Sequence, residues 1–195
     1  MHALIGAIVY ARSKKEALVK AKSVFRQLCG EGKAFDYFVT FDEDSPLAGR
    51  NRWGNYSVVA KADSQEGQDL INKLMGATRQ GFMENMERIR KALEVLSDEE
   101  LFTEELSDQT KVLMALGGRA WRFEYSPSMV KADMRSAGSH RGPGIHLYDQ
   151  SGEGIRTPRH LSNVLTKWDE LYKGRQEENP YAKLEVYVVP ADVHF

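Results

Sequence analysis

Residues 3 to 10, ALIGAIVY, form an unbroken apolar run of strand length rich in β-branched side chains, the pattern of a strand buried on both faces. Ser13 and Glu16 then make a capping box. Beyond it Ala17, Leu18, Ala21, Val24, Phe25 and Leu28 recur at helical spacing until Gly30 and Gly32. AFDYFVTF (34 to 41) and YSVVAK (56 to 61) read as two further strands, joined by DEDSPLAGRNRWGN, a loop too long for a tight hairpin. Asp63 with Glu66 repeats the capping signal and opens a helical stripe of Leu70, Ile71, Leu74, Phe82, Met86, Ile89, Leu93 and Leu96. Gly76 and Gly81 inside it predict a kink or two consecutive helices. LEVYVV (184 to 189) is the closing strand.

The order β-α-β-β-α, an interruption, then β predicts an α+β fold with a ferredoxin-like split βαβ core and a large α+β insertion before the last strand. On this reading residues 1–195 are a single domain. The core takes 1–96 and 184–195, and the inserted region 97–183 carries the candidate site. The first and last strands are expected to share one sheet, which would bring His2 and His194 at the two chain ends toward each other.

Within the insertion, SDEELFTEELSD is acidic without Lys or Arg and reads as a solvated surface, with an interaction tail as the alternative. Ser107 caps a short helix that ends at Gly117 and Gly118. RAWRFEYS alternates as a strand with one apolar face, and in GIHLYD Ile145 and Leu147 are expected to face opposite to His146 and Tyr148. Thr157 as N-cap, with Pro158 in the first helical position, opens a helix carrying Leu161, Val164, Leu165 and Trp168 and closed by Gly174. Leu165 and Trp168 are its expected buried positions.

Composition narrows the function classes. The chain is 42% hydrophobic and 28% charged, which excludes a disordered or fibrous protein. A net charge of −1 leaves any nucleic-acid affinity to a local patch. No apolar run approaches the ~20 residues that cross a bilayer, so no membrane partner and a cytoplasmic location are expected. Cys29 is the single cysteine, excluding an intramolecular disulfide, and its place on an apolar helix face marks it as core filler.

Candidate chemistry concentrates in residues 135 to 160, which hold five glycines, four arginines and three of the five histidines. Gly138, Gly142 and Gly144 around Arg141 would let backbone amides approach an anion, and a guanidinium is a forked donor for phosphate or carboxylate. Arg156 and Arg159 flank a helix start that adds favourable potential. From Arg119 to His160 seven basic residues face four acidic ones, and Trp121, Tyr125 and Tyr148 offer stacking surface. His140, His146 and His160 are the proton-transfer candidates, with Asp133 and Asp149 as carboxylates able to orient them. No spacing marks a metal site, and no cofactor is identified. Arg50, Arg52 and Trp53 combine charge and stacking surface on the long loop.

Three classes follow: a protein gripping a phosphate-bearing or other anionic small molecule, as a binder or as an enzyme, through Arg141 and Arg156, with binding residues Gly138, Gly142, Gly144, Tyr148 and Arg159; a nucleic-acid-binding module; and a homo-oligomeric structural protein without catalysis. Anion binding is the reading carried forward, because guanidinium groups, glycines and a helix start coincide.

Overall fold

The computed structural model describes residues 1–118, 125–138, 144–173 and 184–195, the side chains of 167–173 excepted. These residues form a mixed α+β structure with a five-stranded sheet. The strands are β1 (His2–Ala11), β2 (Tyr37–Thr40), β3 (Ala60–Lys61), β4 (Leu147–Tyr148) and β5 (Glu185–His194). The helices are α1 (Lys14–Leu28), α2 (Arg50–Trp53), α3 (Gln65–Leu93), α4 (Asp98–Thr103), α5 (Asp108–Leu116), α6 (Pro127–Gly138) and α7 (Pro158–Lys173). The chain divides into two compact units, Met1–Arg79 with His140–Phe195, and Gln80–Ser139. Among the described residues no helix is long and apolar enough to cross a membrane.

In the first unit β1 and β5 pair antiparallel along their whole length, from His2 opposite His194 to Ala11 opposite Glu185. Their apolar runs bury both faces. Ala3, Ile5, Ala7 and Val9 pack with Ala17, Ala21, Val24 and Phe25 of α1, whereas Leu4, Ile8 and Val188 pack with Leu70, Ile71 and Leu74 of α3. Gly6 permits the close approach of α3, since a Cβ there would lie 2.5 Å from Leu74 Cδ1.

The neighbour order is β2-β5-β1-β4, with β3 also on β5 and β4 parallel to β1. The first and last strands therefore do share a sheet. The split βαβ arrangement is not confirmed by this order: β2 and β3 do not pair with each other but lie along the same edge of β5, opposite its residues 191–194 and 187–188.

The closing strand runs past the expected 184 to 189, through Pro190. His194 accepts the Asp36 N–H at 2.8 Å and Val186 the Ala62 N–H at 2.9 Å, so the even residues of β5 address the β2/β3 edge. Pro190 shares that parity and falls where residues 41–59 leave the sheet between Thr40 and Ala60. A residue without an N–H loses no ladder bond there.

Three local expectations need correction. Helix α3 is one helix through Gly76 and Gly81 and not two consecutive ones, its apolar stripe outweighing the roughly 1 kcal/mol propensity cost of each glycine, although the division between the units does fall between them. Ser64, not Asp63, caps it, accepting the Gly67 N–H at 3.2 Å. Ile145 and Leu147 join opposite core faces, because β4 spans only two residues and the alternation does not reach Ile145.

Thr157 does cap α7, accepting the His160 N–H at 3.1 Å. On that helix Val164 is buried and Leu165 half-buried, while the Trp168 side chain lies outside the described residues.

The second unit has its own small core of Ala92, Leu96, Met114, Tyr125 and Val130. The acidic stretch supplies α4, opened by a capping box between Ser97 and Glu100. Ser107 caps α5, as its position before the apolar periodicity predicts. Helix α6 was not legible as periodicity, because only Pro127, Val130 and Asp133 of its residues are buried. Of the strand read in RAWRFEYS (119 to 126), residues 119–124 lie outside the described ones, while Tyr125 and Ser126 form the turn into α6.

Candidate functional site

The glycine-rich stretch is only partly visible: His140, Arg141 and Gly142 lie outside the described residues. Gly138 is the last residue of α6, and neither it nor Gly144 has a positive φ, so the backbone freedom expected of them is not used. Asp133 is engaged by Arg88, whose Nε and Nη2 each donate to one carboxylate oxygen at 2.9 Å. That two-pronged ion pair holds α3 to α6 within the second unit and takes the carboxylate away from the histidine-orienting role assigned to it. Asp149 is likewise committed, its Oδ1 accepting from the Ser151 N–H, the Ser151 hydroxyl and the Glu153 N–H in a turn. Tyr148 is fully buried, edge-on to Phe35 at 6.4 Å between centroids, which makes it a core residue and not a stacking platform.

His146 is held at three points. Its N–H donates to Thr78 Oγ1 at 3.0 Å, its carbonyl accepts from the Gly6 N–H at 2.8 Å, and its Nδ1 donates to the Leu4 carbonyl at 2.8 Å. A carbonyl partner fixes the proton on Nδ1 and leaves Nε2 as the basic nitrogen. Arg156, half-buried just before the Thr157 cap, has its pKa lowered by burial, with nearby Tyr148 opposing the shift. Arg159 is exposed and His160 half-buried on the first turn of α7. Cys29 is half-buried, and burial pushes its thiol up to about 11, the behaviour of core filler.

A cationic cavity of about 380 Å³ opens at the start of α1. Lys14, Lys15 and Arg50 line it together with Ser57, over an apolar floor of Leu18, Val58 and Val59. Two further lysines of α1 are ion-paired, Lys20 with Glu16 at 2.7 Å and Lys22 with Asp42 and Glu43 at 3.0 Å. Lys14, Lys15 and Arg50 have no carboxylate within ion-pair distance among the described residues. Glu66 approaches from α3. It accepts the Ser57 N–H at 2.9 Å, and Ser57's hydrogen bonds, with a smaller part from the Lys14 charge, hold its carboxyl below the usual range despite its partial burial. The three cations exceed that single carboxylate.

Sequence reasoning singled out Arg50 but not Lys14 and Lys15. A signal was present: two lysines in the first turn of a helix stand against the positive end of its dipole, a local placement that costs about 0.3–1 kcal/mol each. Breaches of a local rule concentrate at functional sites. An anion seated between them would reverse the sign of that cost.

The loop that carries Arg50 is tied to the sheet by a buried carboxylate. Asp192 on β5, with no exposed side-chain surface, accepts from His2 Nδ1 at 3.0 Å through one oxygen and from the Gly49 N–H at 2.9 Å through the other; Arg52 Nε lies 3.9 Å from the second oxygen. The expected approach of the terminal histidines is realised beside it. The rings of His2 and His194 meet edge-on at 5.1 Å, and His194 stacks on Tyr37 while its Nδ1 lies 2.8 Å from Asp36 Oδ2.

One family model matches the chain, over residues 1–119 and 125–195, and is described as "Domain of unknown function (DUF7995)". No curated protein and no solved structure matches it.

Proposed function

We propose that this chain, which belongs to the DUF7995 family, binds a phosphate-bearing small molecule in the cavity at the start of α1. The observation that carries the reading is the convergence of Lys14, Lys15 and Arg50, none ion-paired among the described residues, on one cavity whose lining contains no acid. Lysine ammonium groups act as point charges for a phosphate and the Arg50 fork can take two of its oxygens. The N–H groups of a fifteen-residue helix face the same end. Leu18, Val58 and Val59 would take an apolar portion of the ligand, and about 380 Å³ lies within the range of small-molecule sites. The reading keeps the anion class expected from the sequence and moves its centre from Arg141 to α1.

The test is a thermal-shift and calorimetry series with inorganic phosphate, a nucleoside monophosphate and short oligonucleotides, on wild type and on Lys14→Ala/Lys15→Ala. A phosphate compound should stabilise the wild type, less so as salt rises, and the double variant should lose the effect. Affinity growing with oligonucleotide length would replace this reading by a nucleic-acid interface. No shift at millimolar concentrations, or an undiminished shift in the double variant, would reject it.

A further inference from the structure

Helix α2 is four residues long, has no side-chain cap, and is bracketed by Gly49 (φ 59°, ψ −125°) and Gly54 (φ 90°, ψ −175°). Both conformations belong to glycine, and a single turn of helix has little intrinsic stability. The turn therefore takes its position from tertiary contacts. At its far end Trp53 packs against the apolar cluster of Leu4, Ile8 and Phe41. At its start the Gly49 N–H bonds to Asp192, which Arg52 Nε also approaches at 3.9 Å, while Asn51 and Arg52 donate to the Ser45 and Leu47 carbonyls within the same loop. The next residue along is Arg50, whose side chain lines the cavity.

We propose that Asp192 is a positioning residue for the phosphate-ligand site: from the buried face of β5 it fixes the Gly49–Gly54 turn and so sets Arg50 at the cavity. The inference rests on the cavity reading above and adds the residue that controls it. A buried carboxylate is costly unless its oxygens are satisfied, and His2 and Gly49 together satisfy both. His2 holds the carboxylate from the β1 side, so the paired ends of the central strands form the base on which the turn stands. Because coupling is reciprocal, a ligand that draws Arg50 inward must also strengthen the Gly49 contact.

The experiment is a double-mutant cycle in the full chain, read by calorimetry with inorganic phosphate. Arg50→Ala should weaken phosphate binding about tenfold, the loss of one charge-assisted contact. Asp192→Asn should weaken it comparably, and the double variant should be no worse than Arg50→Ala alone. Lys15→Ala should keep its full effect in the Asp192→Asn background, showing that the rest of the cavity is intact. Gly49→Ala, which attacks the same contact from the turn, should reproduce the dependence on Arg50 if Asp192→Asn fails to fold. Hydrogen exchange gives a second readout, with residues 49–54 exchanging faster in Asp192→Asn while β1 and β5 stay protected.

Multiplying losses from Asp192→Asn and Arg50→Ala, or unchanged exchange in 49–54, would overturn the positioning role and leave the cavity reading standing. No phosphate binding by the wild type, or none of it dependent on Arg50, would remove the cavity reading itself.

Discussion

Gly67→Ala separates local preference from tertiary fit, because the two give opposite signs. Gly67 lies in the first turn of α3, and alanine is favoured over glycine in a helix by about 1 kcal/mol. Yet a Cβ at Gly67 would sit 1.9 Å from the Lys61 carbonyl oxygen and 2.8 Å from its carbon, both of them main chain. Carbon and oxygen in contact stay about 3.3 Å apart, so α3 and the end of β3 would have to separate by roughly 1.4 Å. That movement pulls on the Ser64 N–H bond to Lys61 (3.1 Å) and on the Ala62 N–H bond to Val186 (2.9 Å), which continues the pairing of β3 with β5. Losing two such bonds costs about 2 kcal/mol and the residual overlap about 2 more. Net of the helical preference, the variant should be destabilised by about 3 kcal/mol, a fall of about 6–12 °C in Tm for a chain of this size. Gly76→Ala is the control: nothing lies within 4 Å of its Cβ position, so it should gain up to about 1 kcal/mol. Urea denaturation followed by circular dichroism measures both. Equal stabilisation by the two substitutions would refute the close contact between α3 and β3.

Thr157→Ala should cost about 1 kcal/mol through loss of the α7 cap, with Thr157→Ser close to wild type; denaturation midpoints of the three proteins decide it. Glu100 is buried in the second unit, and hydrogen bonds from the Thr110 hydroxyl first, then from the Ser97 and Ser107 N–H groups, hold its carboxyl far below the usual range. A depressed folded-state pKa supplies stability that is complete above the unfolded value of about 4.3 and is lost as pH falls below it. Glu100→Gln should therefore be less stable than wild type at pH 7 by about 1–3 kcal/mol, the gap narrowing between pH 4 and pH 2 in urea titrations. A gap independent of pH would show that the carboxylate charge plays no part.

Much of the core was legible because it is written locally. Residues 3 to 10 are apolar at both parities and α1 has a clean stripe, so a doubly buried strand packed on a helix follows from period alone. The length of β5 was not, since Pro190 is an end signal unless the neighbouring edge is already broken, and that break is set far earlier in the chain by residues 41–59. The approach of His2 to His194 was foreseeable from the pairing of first and last strands. Its link to Gly49 was not, because the Asp192 bond joins positions 143 apart and no local spacing encodes it. The site moved for a similar reason. Glycine and arginine density drew the reading to residues 138–146, whereas Lys14 and Lys15 look ordinary until α1 and the Arg50 turn are brought to one cavity.

The uneven strand lengths carry a consequence for association. Two ten-residue strands lie side by side in the interior of the sheet, while the strands outside them in the described residues have four, two and two. Among the described residues these outer strands are short, and the edge of β5 is interrupted opposite Pro190, so each offers little register for a foreign strand to extend. The apolar segments ALIGAIVY and VYVVPADV are each other's partners and are withdrawn from intermolecular pairing as soon as they meet. Exposure of those two segments before they meet is a route to self-association that their pairing closes.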